Sequence, residues 1–340
     1  MLRGHEGAIL AARFNGDGNY CLSCGKDRTI HLWNPHRGIH IKTYKSHGRE
    51  VRDVHVTLDN SKLISCGGDR QIFYWDVATG RVIRKFRGHD SESLRAWDCR
   101  SHSTEPIQII DTFQDSVMSV CLTKTEMIAG IVDGTVRTFD IRIGREILNA
   151  LGKPVNCISM SNDGNCILAS CLDSTLRLLD RSTGERLQEY KGHTCKSYKL
   201  DCCLTNTDAH VTGGSEDGYI YFWDLVDATV VSSFCAHACS FANEGAGYPL
   251  FTLNVIQLLT LSLHQYNSAL CKNTCYDSVR FFSISTAIGL LPLLHTLLYL
   301  NHSILNPFPA WRKVTSVSYH PRDNCMITAS VDSTIRVWKS

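Results

Sequence analysis

A tryptophan or other apolar residue followed by an aspartate recurs along the chain at intervals near 40 residues. Clear examples are Trp75-Asp76 and Trp223-Asp224, and successive repeat ends are separated by 42, 22, 42, 40, 44 and 115 residues. A fixed period of this length is typical of small units that stack on their neighbours to bury their apolar faces. We therefore expect seven units, of which the third is too short and the last too long. Their ends lie near residues 33, 75, 97, 139, 179, 223 and 338.

A second landmark is an aspartate placed six residues before these ends. It opens a short turn, as in Asp27-Arg28-Thr29, and alternating β-branched and apolar residues follow, as in residues 135 to 139. This pattern predicts two strands joined by a tight turn, and therefore an all-β fold. The turn aspartates are Asp27, Asp69, Asp133, Asp173, Asp217 and Asp332.

A third landmark is a histidine 22 or 24 residues upstream of the aspartate. With the other two it resembles the WD-repeat family, which implies a seven-bladed β-propeller whose blades hold a buried His–Ser/Thr–Asp–Trp hydrogen-bond relay. The same residue types form nucleophile triads, but their recurrence in several blades favours a structural network. Matched by position, the relay residues are His5, Ser23, Asp27 and Trp33; His47, Ser65, Asp69 and Trp75; His193, Asp217 and Trp223, with Gly213 replacing the hydroxyl; and Asp133, Asp173, Asp332 and Trp338.

Longer strings carry a more specific resemblance. Residues 84 to 89, 172 to 180 and 198 to 204 resemble the mitogen-activated protein kinase organizer family, whose members are also associated with the spliceosome. The resemblance covers roughly residues 4 to 237 and 314 to 340. It implies a scaffold for protein components of signalling or splicing complexes, located in the cytoplasm and nucleus, without enzymatic activity or a cofactor.

Two repeats depart from this pattern. The short third repeat predicts a truncated blade that keeps its outer strands but lacks its inner pair and aspartate turn, which would expose strand edges. The long last repeat predicts a propeller formed by residues 1–237 and 313–340, interrupted by an irregular insert at 238–312. Two origins of these departures remain open, an altered transcript and a genuine lineage-specific loop. Because Met1 to Arg3 alone precede the first repeat, we also expect a short closing strand and a weak latch.

The insert contains an uncharged run of 20 residues, 281 to 300, which has the length of a membrane span. Pro292 and His295 interrupt the run, and the strands on both sides of the insert must join one propeller in water. We therefore expect no membrane insertion.

Composition excludes several other classes of function. A net charge of +2 without a run of lysine and arginine predicts no direct nucleic-acid binding. Sixteen scattered cysteines and the lack of a secretory signal indicate a reduced intracellular protein. Cys21 and Cys24 are three apart in a strand pattern and point to opposite faces, so we expect buried thiols and no metal. We find neither a phosphate-binding glycine loop nor a zinc-type cluster in the repeats.

Two sets of charged residues are candidate contact sites, because propellers bind partners through loops on a rigid frame. The first is a mildly basic sector suited to an acidic partner segment, although each member also fits a solvated loop charge. The second is a tandem Trp/Phe-Asp-x-Arg box that resembles the docking box of cullin-type ubiquitin-ligase substrate receptors, which also arises by chance in such repeats. The first set is Lys26, Arg28, Arg49, Arg52, Asp53 and Arg70, and the second is Arg100 and Arg142.

Overall fold

The computed structural model describes residues 1–88, 93–237 and 313–339, and every regular element in these ranges is a β-strand. Strands that follow one another in a repeat pair antiparallel, and the turn aspartate lies between the second and third strands of its blade. The first strand is β1 (Leu2–Arg3). Blade A contains β2 (Ile9–Phe14), β3 (Cys21–Gly25), β4 (Thr29–Asn34) and β5 (Ile39–Lys45), and blade B contains β6 (Val51–Val56), β7 (Lys62–Gly67), β8 (Ile72–Asp76) and β9 (Val82–Phe86).

A two-stranded sheet follows blade B, and four further blades follow that sheet. The two-stranded sheet contains β10 (Leu94–Ala96) and β11 (Gln108–Ile110). Blade C contains β12 (Val117–Leu122), β13 (Glu126–Ile131), β14 (Thr135–Asp140) and β15 (Glu146–Ala150), and blade D contains β16 (Val155–Met160), β17 (Cys166–Cys171), β18 (Thr175–Asp180) and β19 (Arg186–Tyr190). Blade E contains β20 (Cys202–Leu204), β21 (His210–Gly214), β22 (Tyr219–Asp224) and β23 (Val230–Cys235), and blade F contains β24 (Val314–Tyr319), β25 (Cys325–Ser330), β26 (Thr334–Lys339) and β1.

The first strand of each four-stranded blade faces the centre of a ring. Strand β2 contacts both β24 and β6, and contacts between β12 and β16, β16 and β20, and β20 and β24 connect blades C, D, E and F. The all-β propeller predicted from the repeats is therefore confirmed. The part of the chain that the structure describes contains six four-stranded blades.

The apolar core lies between neighbouring blades. Tyr44 of blade A packs edge-on against Trp75 of blade B with ring centroids 5.8 Å apart, and its hydroxyl donates a hydrogen bond to the carbonyl of Val77. Tyr190 of blade D packs in a tilted orientation against Trp223 of blade E with ring centroids 6.2 Å apart, and its hydroxyl donates to the carbonyl of Leu225 at 2.7 Å. Burial of an aromatic side chain of this size contributes about 2–3 kcal/mol, so each contact stabilises the blade pair as well as the blade.

The ring closes between its first and last strands. Leu2 and Arg3 pair with Ile335 and Thr334, and the Leu2 side chain is buried. Blade F is also joined to blade A through side chains, because the Thr315 hydroxyl donates to the carbonyl of Ile9 at 2.7 Å. The closing strand has two residues, as expected, but hydrogen bonds from β24 to β2 reinforce the closure that the sequence suggested would be weak.

The two-stranded sheet packs against blade C. Leu94 of β10 lies in one apolar cluster with Phe113, Ile131 and Phe139. Nearby, four apolar side chains on β11, the segment before it and β12 remain exposed. They are Ile107, Ile109, Val120 and Leu122.

The predicted insert, including the uncharged run at 281 to 300, lies outside the described residues. Within the described ranges, no helix is long and apolar enough to cross a membrane. Cys21 and Cys24 lie buried on β3 as free thiols, in agreement with their apolar surroundings in the sequence.

Candidate interaction face

The relay of blade A joins its entry loop to its aspartate turn. His5 lies before β2, and its Nδ1 is 2.7 Å from Asp27 Oδ2 while its Nε2 is 2.7 Å from Ser23 Oγ. Trp33 Nε1 donates to the same Ser23 oxygen at 2.8 Å. Burial alone would raise the pKa of Asp27, but hydrogen bonds from His5 and Thr29 outweigh it and hold this pKa far below its usual value. The ionised Asp27 carboxylate therefore holds the loop before β2 against the turn between β3 and β4.

Blade B repeats this arrangement with its own residues. His47 is 2.9 Å from Asp69 and 2.8 Å from Ser65, and Trp75 Nε1 donates to Ser65 Oγ at 2.9 Å. Burial lowers the pKa of His47, although Asp69 opposes the shift. A mainly neutral imidazole therefore bridges the carboxylate and the hydroxyl.

Blade F contains a relay that sequence reasoning found in part. Asp332 and Trp338 were recognised, but His237 and Thr328 were missed. His237 is 2.9 Å from Asp332 and 3.0 Å from Thr328 Oγ1, and Trp338 donates to that hydroxyl at 3.0 Å. The predicted insert separates His237 from Asp332 by 95 residues. A usable signal was present, because His237 follows Trp223 by 14 residues, as His47 follows Trp33.

Blade E departs further from the pattern than the sequence indicated. We expected one missing link because Gly213 replaces the hydroxyl, yet neither ring nitrogen of buried His193 has a hydrogen-bond partner. Trp223 Nε1 donates instead to the carbonyl of Lys191 at 2.9 Å, and Asp217 accepts a bond from Tyr221. Burial lowers the pKa of His193 to about 4. Blade E, which lacks the central hydroxyl, therefore has none of the relay hydrogen bonds that connect histidine, aspartate and tryptophan in blades A and B.

Blades C and D hold their turn aspartates with arginine. Arg137 lies 3.3 Å from Asp133, and Arg177 lies 2.7 Å from Asp173. Both guanidinium groups are buried, and each also pairs with a glutamate, Arg177 with Glu189 at 3.2 Å. Sequence reasoning missed these arginines, although an arginine four residues after the aspartate was a readable signal.

The relays leave cations exposed on the same loops. Because Asp27 and Asp69 are bonded to histidines and to backbone amides, these carboxylates are already engaged next to the surface. The exposed cations lie in the turns of blades A and B and at the entry to β6, and Arg52 also pairs with Glu50 at 3.3 Å. We call this set the turn face: Lys26, Arg28, Arg49, Arg52 and Arg70.

Asp53 was predicted with this set but lies in a different environment. Its carboxylate accepts hydrogen bonds from Arg13 Nε at 2.8 Å and from Nη2 at 3.0 Å. Burial would raise the pKa of Asp53, but the charge of Arg13 outweighs it and keeps the pKa well below its usual value. Since Arg13 is on β2 and Asp53 on β6, the pair joins two blades and the carboxylate is already engaged.

The two arginines of the tandem box are strongly exposed. Arg100 lies between β10 and β11 with 94% of its side chain exposed, and Arg142 lies between β14 and β15 with 66% exposed. Each approaches the aspartate two residues before it, Asp98 at 3.3 Å and Asp140 at 2.8 Å. The hydrogen bond from Arg142 lowers the pKa of Asp140 to about 2.

Comparisons with known proteins agree with this architecture. The family model "WD domain, G-beta repeat" matches residues 1–34, 38–76, 146–180, 184–224 and 303–339. The chain is 51% identical to WD repeat domain-containing protein 83 of Rattus norvegicus and 49% identical to that of Homo sapiens. Each alignment covers 66% of this chain and 78% of the relative. An uncharacterized WD repeat-containing protein of Schizosaccharomyces pombe is 34% identical over 76% of this chain and 95% of its own length. The chain therefore belongs to the WD-repeat family.

Proposed function

We propose that the protein is a non-catalytic interaction scaffold that binds acidic segments of partner proteins through the turn face. The observation that carries the proposal is the set of five exposed cations on two adjacent blades, beside carboxylates already engaged in relays. A rigid charged surface loses little conformational entropy on binding, and charge complementarity accelerates encounter and selects partners.

The family relationship supports partners from multiprotein assemblies. We propose that the partners are components of kinase-signalling or splicing complexes and that the protein binds them in the cytoplasm or the nucleus. This proposal rests on the segments at 172 to 180 and 198 to 204, which resemble the kinase organizer family. Contact with these assemblies is through protein and not through nucleic acid, in keeping with the net charge of +2.

We further propose that the ring derives from a seven-bladed propeller. In this interpretation β10 and β11 are the outer strands of a third blade whose inner pair is absent. The terminal Trp97 supports it, because it follows β10 as Trp33 ends β4 and packs 5.7 Å from Phe86 of blade B. Exposed Val120 and Leu122 on β12 would face the absent strands.

Charge reversal tests the binding function. We would measure binding of a labelled glutamate-rich peptide to the full chain and to the double variant Arg49→Glu/Arg52→Glu, at two salt concentrations. Loss of two cations should weaken binding at least tenfold, about 1.4 kcal/mol, and flatten its salt dependence. The matched control is Arg100→Glu/Arg142→Glu, which removes two exposed arginines from outside the turn face. Equal affinity of the wild type and the Arg49/Arg52 variant would contradict the proposal.

A second candidate function rests on the exposure of Arg100 and Arg142. Both lie between two paired strands, and both side chains project into solvent. This geometry supports docking to the adaptor of a cullin-type ubiquitin ligase. The variant Arg100→Ala/Arg142→Ala should then lose a purified adaptor that the Arg49/Arg52 variant retains, whereas failure of the wild type to bind any cullin adaptor would remove this candidate.

A further inference from the structure

Blade A places a third metal-ligating side chain beside its relay. Donor atoms of His5, Asp27 and His31 all lie within 4.8 Å of one another. The rings of His5 and His31 are 4.1 Å apart at their centroids. His31 is 6% exposed, and its buried Nδ1 has no hydrogen-bond partner. We propose that these three side chains bind one zinc-class divalent cation.

The residue types suit a cation. Two imidazoles and one carboxylate are a ligand set that zinc accepts in proteins, and each of the three side chains offers one donor atom.

The surrounding hydrogen bonds also suit a ligand. A metal-bound histidine usually donates its other ring N–H to a polar group, which fixes the ring. The second nitrogen of His5 lies 2.7 Å from Ser23 Oγ. A hydroxyl oxygen has two lone pairs, so Ser23 can accept from both His5 and Trp33 while His5 Nδ1 binds the ion. The ion would replace the proton between His5 and Asp27 and leave the rest of the relay in place.

The site is incomplete on one side. Zinc holds four ligands about 3.3 Å apart when its bonds are about 2.0–2.1 Å long. Donor atoms as far apart as 4.8 Å must therefore approach by roughly 1.5 Å through movement of His31, whereas His5 Nδ1 and Asp27 Oδ2, 2.7 Å apart, must separate by roughly 0.6 Å. Three protein ligands leave one position open. Asp27 and His31 line a cavity of about 750 Å³ that also contains Glu6 and His40. The open position therefore faces a space large enough for water or a carboxylate of a partner.

This combination is specific to blade A among the three relays that the structure describes. The position of His31, four residues after the turn aspartate, holds Phe73 in blade B, and Phe73 stacks on His47 with centroids 4.1 Å apart. In blade F the same position holds Arg336. A neighbouring blade thus shows that phenylalanine fits beside an intact relay, which makes His31→Phe a conservative test.

We would titrate the chelator-treated full chain with Zn²⁺ by calorimetry and with Co²⁺ by absorption spectroscopy. The wild type should bind one ion whose cobalt spectrum lacks thiolate charge-transfer absorption, which separates this site from any cysteine site. His31→Phe and His31→Gln should bind at least 100-fold more weakly, while their unfolding temperatures in chelator remain those of the wild type. The matched control is His40→Phe, which removes a histidine that lies outside the three-residue cluster.

Two outcomes would overturn the site. One is zinc affinity in both His31 variants equal to that of the wild type. The other is the absence of a nitrogen/oxygen-type cobalt spectrum in the wild type. Neither outcome affects the proposed binding of acidic segments, because the Arg49/Arg52 variant reports on that function without added metal.

Discussion

The substitution Ser65→Ala tests whether the relay stabilises a blade. Ser65 Oγ is buried between His47 Nε2 at 2.8 Å and Trp75 Nε1 at 2.9 Å. Alanine removes one hydroxyl and leaves two buried polar nitrogens without a partner. Each unsatisfied buried group costs about 1–3 kcal/mol, so we expect the two together to lower the free energy of unfolding by about 2–6 kcal/mol. At about 2 °C per kcal/mol for a chain of this size, Tm should fall by roughly 4–12 °C.

Thermal and urea unfolding followed by tryptophan fluorescence would measure this loss. The matched control is Gly213→Ala in blade E, where the corresponding position already lacks a hydroxyl and Trp223 donates to the carbonyl of Lys191. The added Cβ would lie 3.2 Å from the end of the Leu176 side chain, so a shift of less than about 1 kcal/mol is expected. If Ser65→Ala destabilised the protein no more than this control, the assignment of a stabilising role to the relay would be wrong.

Three further predictions concern other blades. The unfolded chain binds a proton on His193 near pH 6.5 and the folded chain only near 4, so stability present above pH 6.5 is lost as the pH falls towards 4. His193→Phe should reduce that loss in urea titrations from pH 7 to 4, and an unchanged pH profile would refute the reasoning. Arg177→Leu leaves Asp173 and Glu189 without their cation and should cost about 2 kcal/mol, less than a fully buried pair because both carboxylates are partly exposed. An Arg177→Leu Tm equal to that of the wild type would contradict this. Leu2→Ala removes a buried side chain from the closing strand and should cost about 2–3 kcal/mol by urea unfolding, and a loss below 1 kcal/mol would show that β1 contributes little.

The repeat pattern predicted the blades because its landmarks lie within single sheets. The turn aspartate and the terminal aromatic are six residues apart, and a hairpin fixes this distance whatever the neighbouring blades do. His237 was missed because 95 residues of sequence separate it from Asp332, its partner in the relay. Arg137 and Arg177 were missed because an arginine, and not a histidine, pairs with the turn aspartate in blades C and D.

Contacts between blades were harder to predict than contacts within them. The exposure of Lys26, Arg28 and Arg70 follows from their place in or beside tight turns, and the structure places them at the surface. Asp53 has a similar sequence context, yet it pairs with Arg13, 40 residues away on the neighbouring inner strand. Such a pair depends on how two sheets pack, which periodicity within one repeat does not encode.

The proposed function is tested most directly by hydrogen–deuterium exchange of the full chain with and without a glutamate-rich peptide. Binding through the turn face predicts slower amide exchange in peptides that contain residues 26 to 28, 49 to 52 and 70, and unchanged exchange around Arg100 and Arg142. Slower exchange confined to other loops, or none at a peptide concentration that saturates binding, would contradict it.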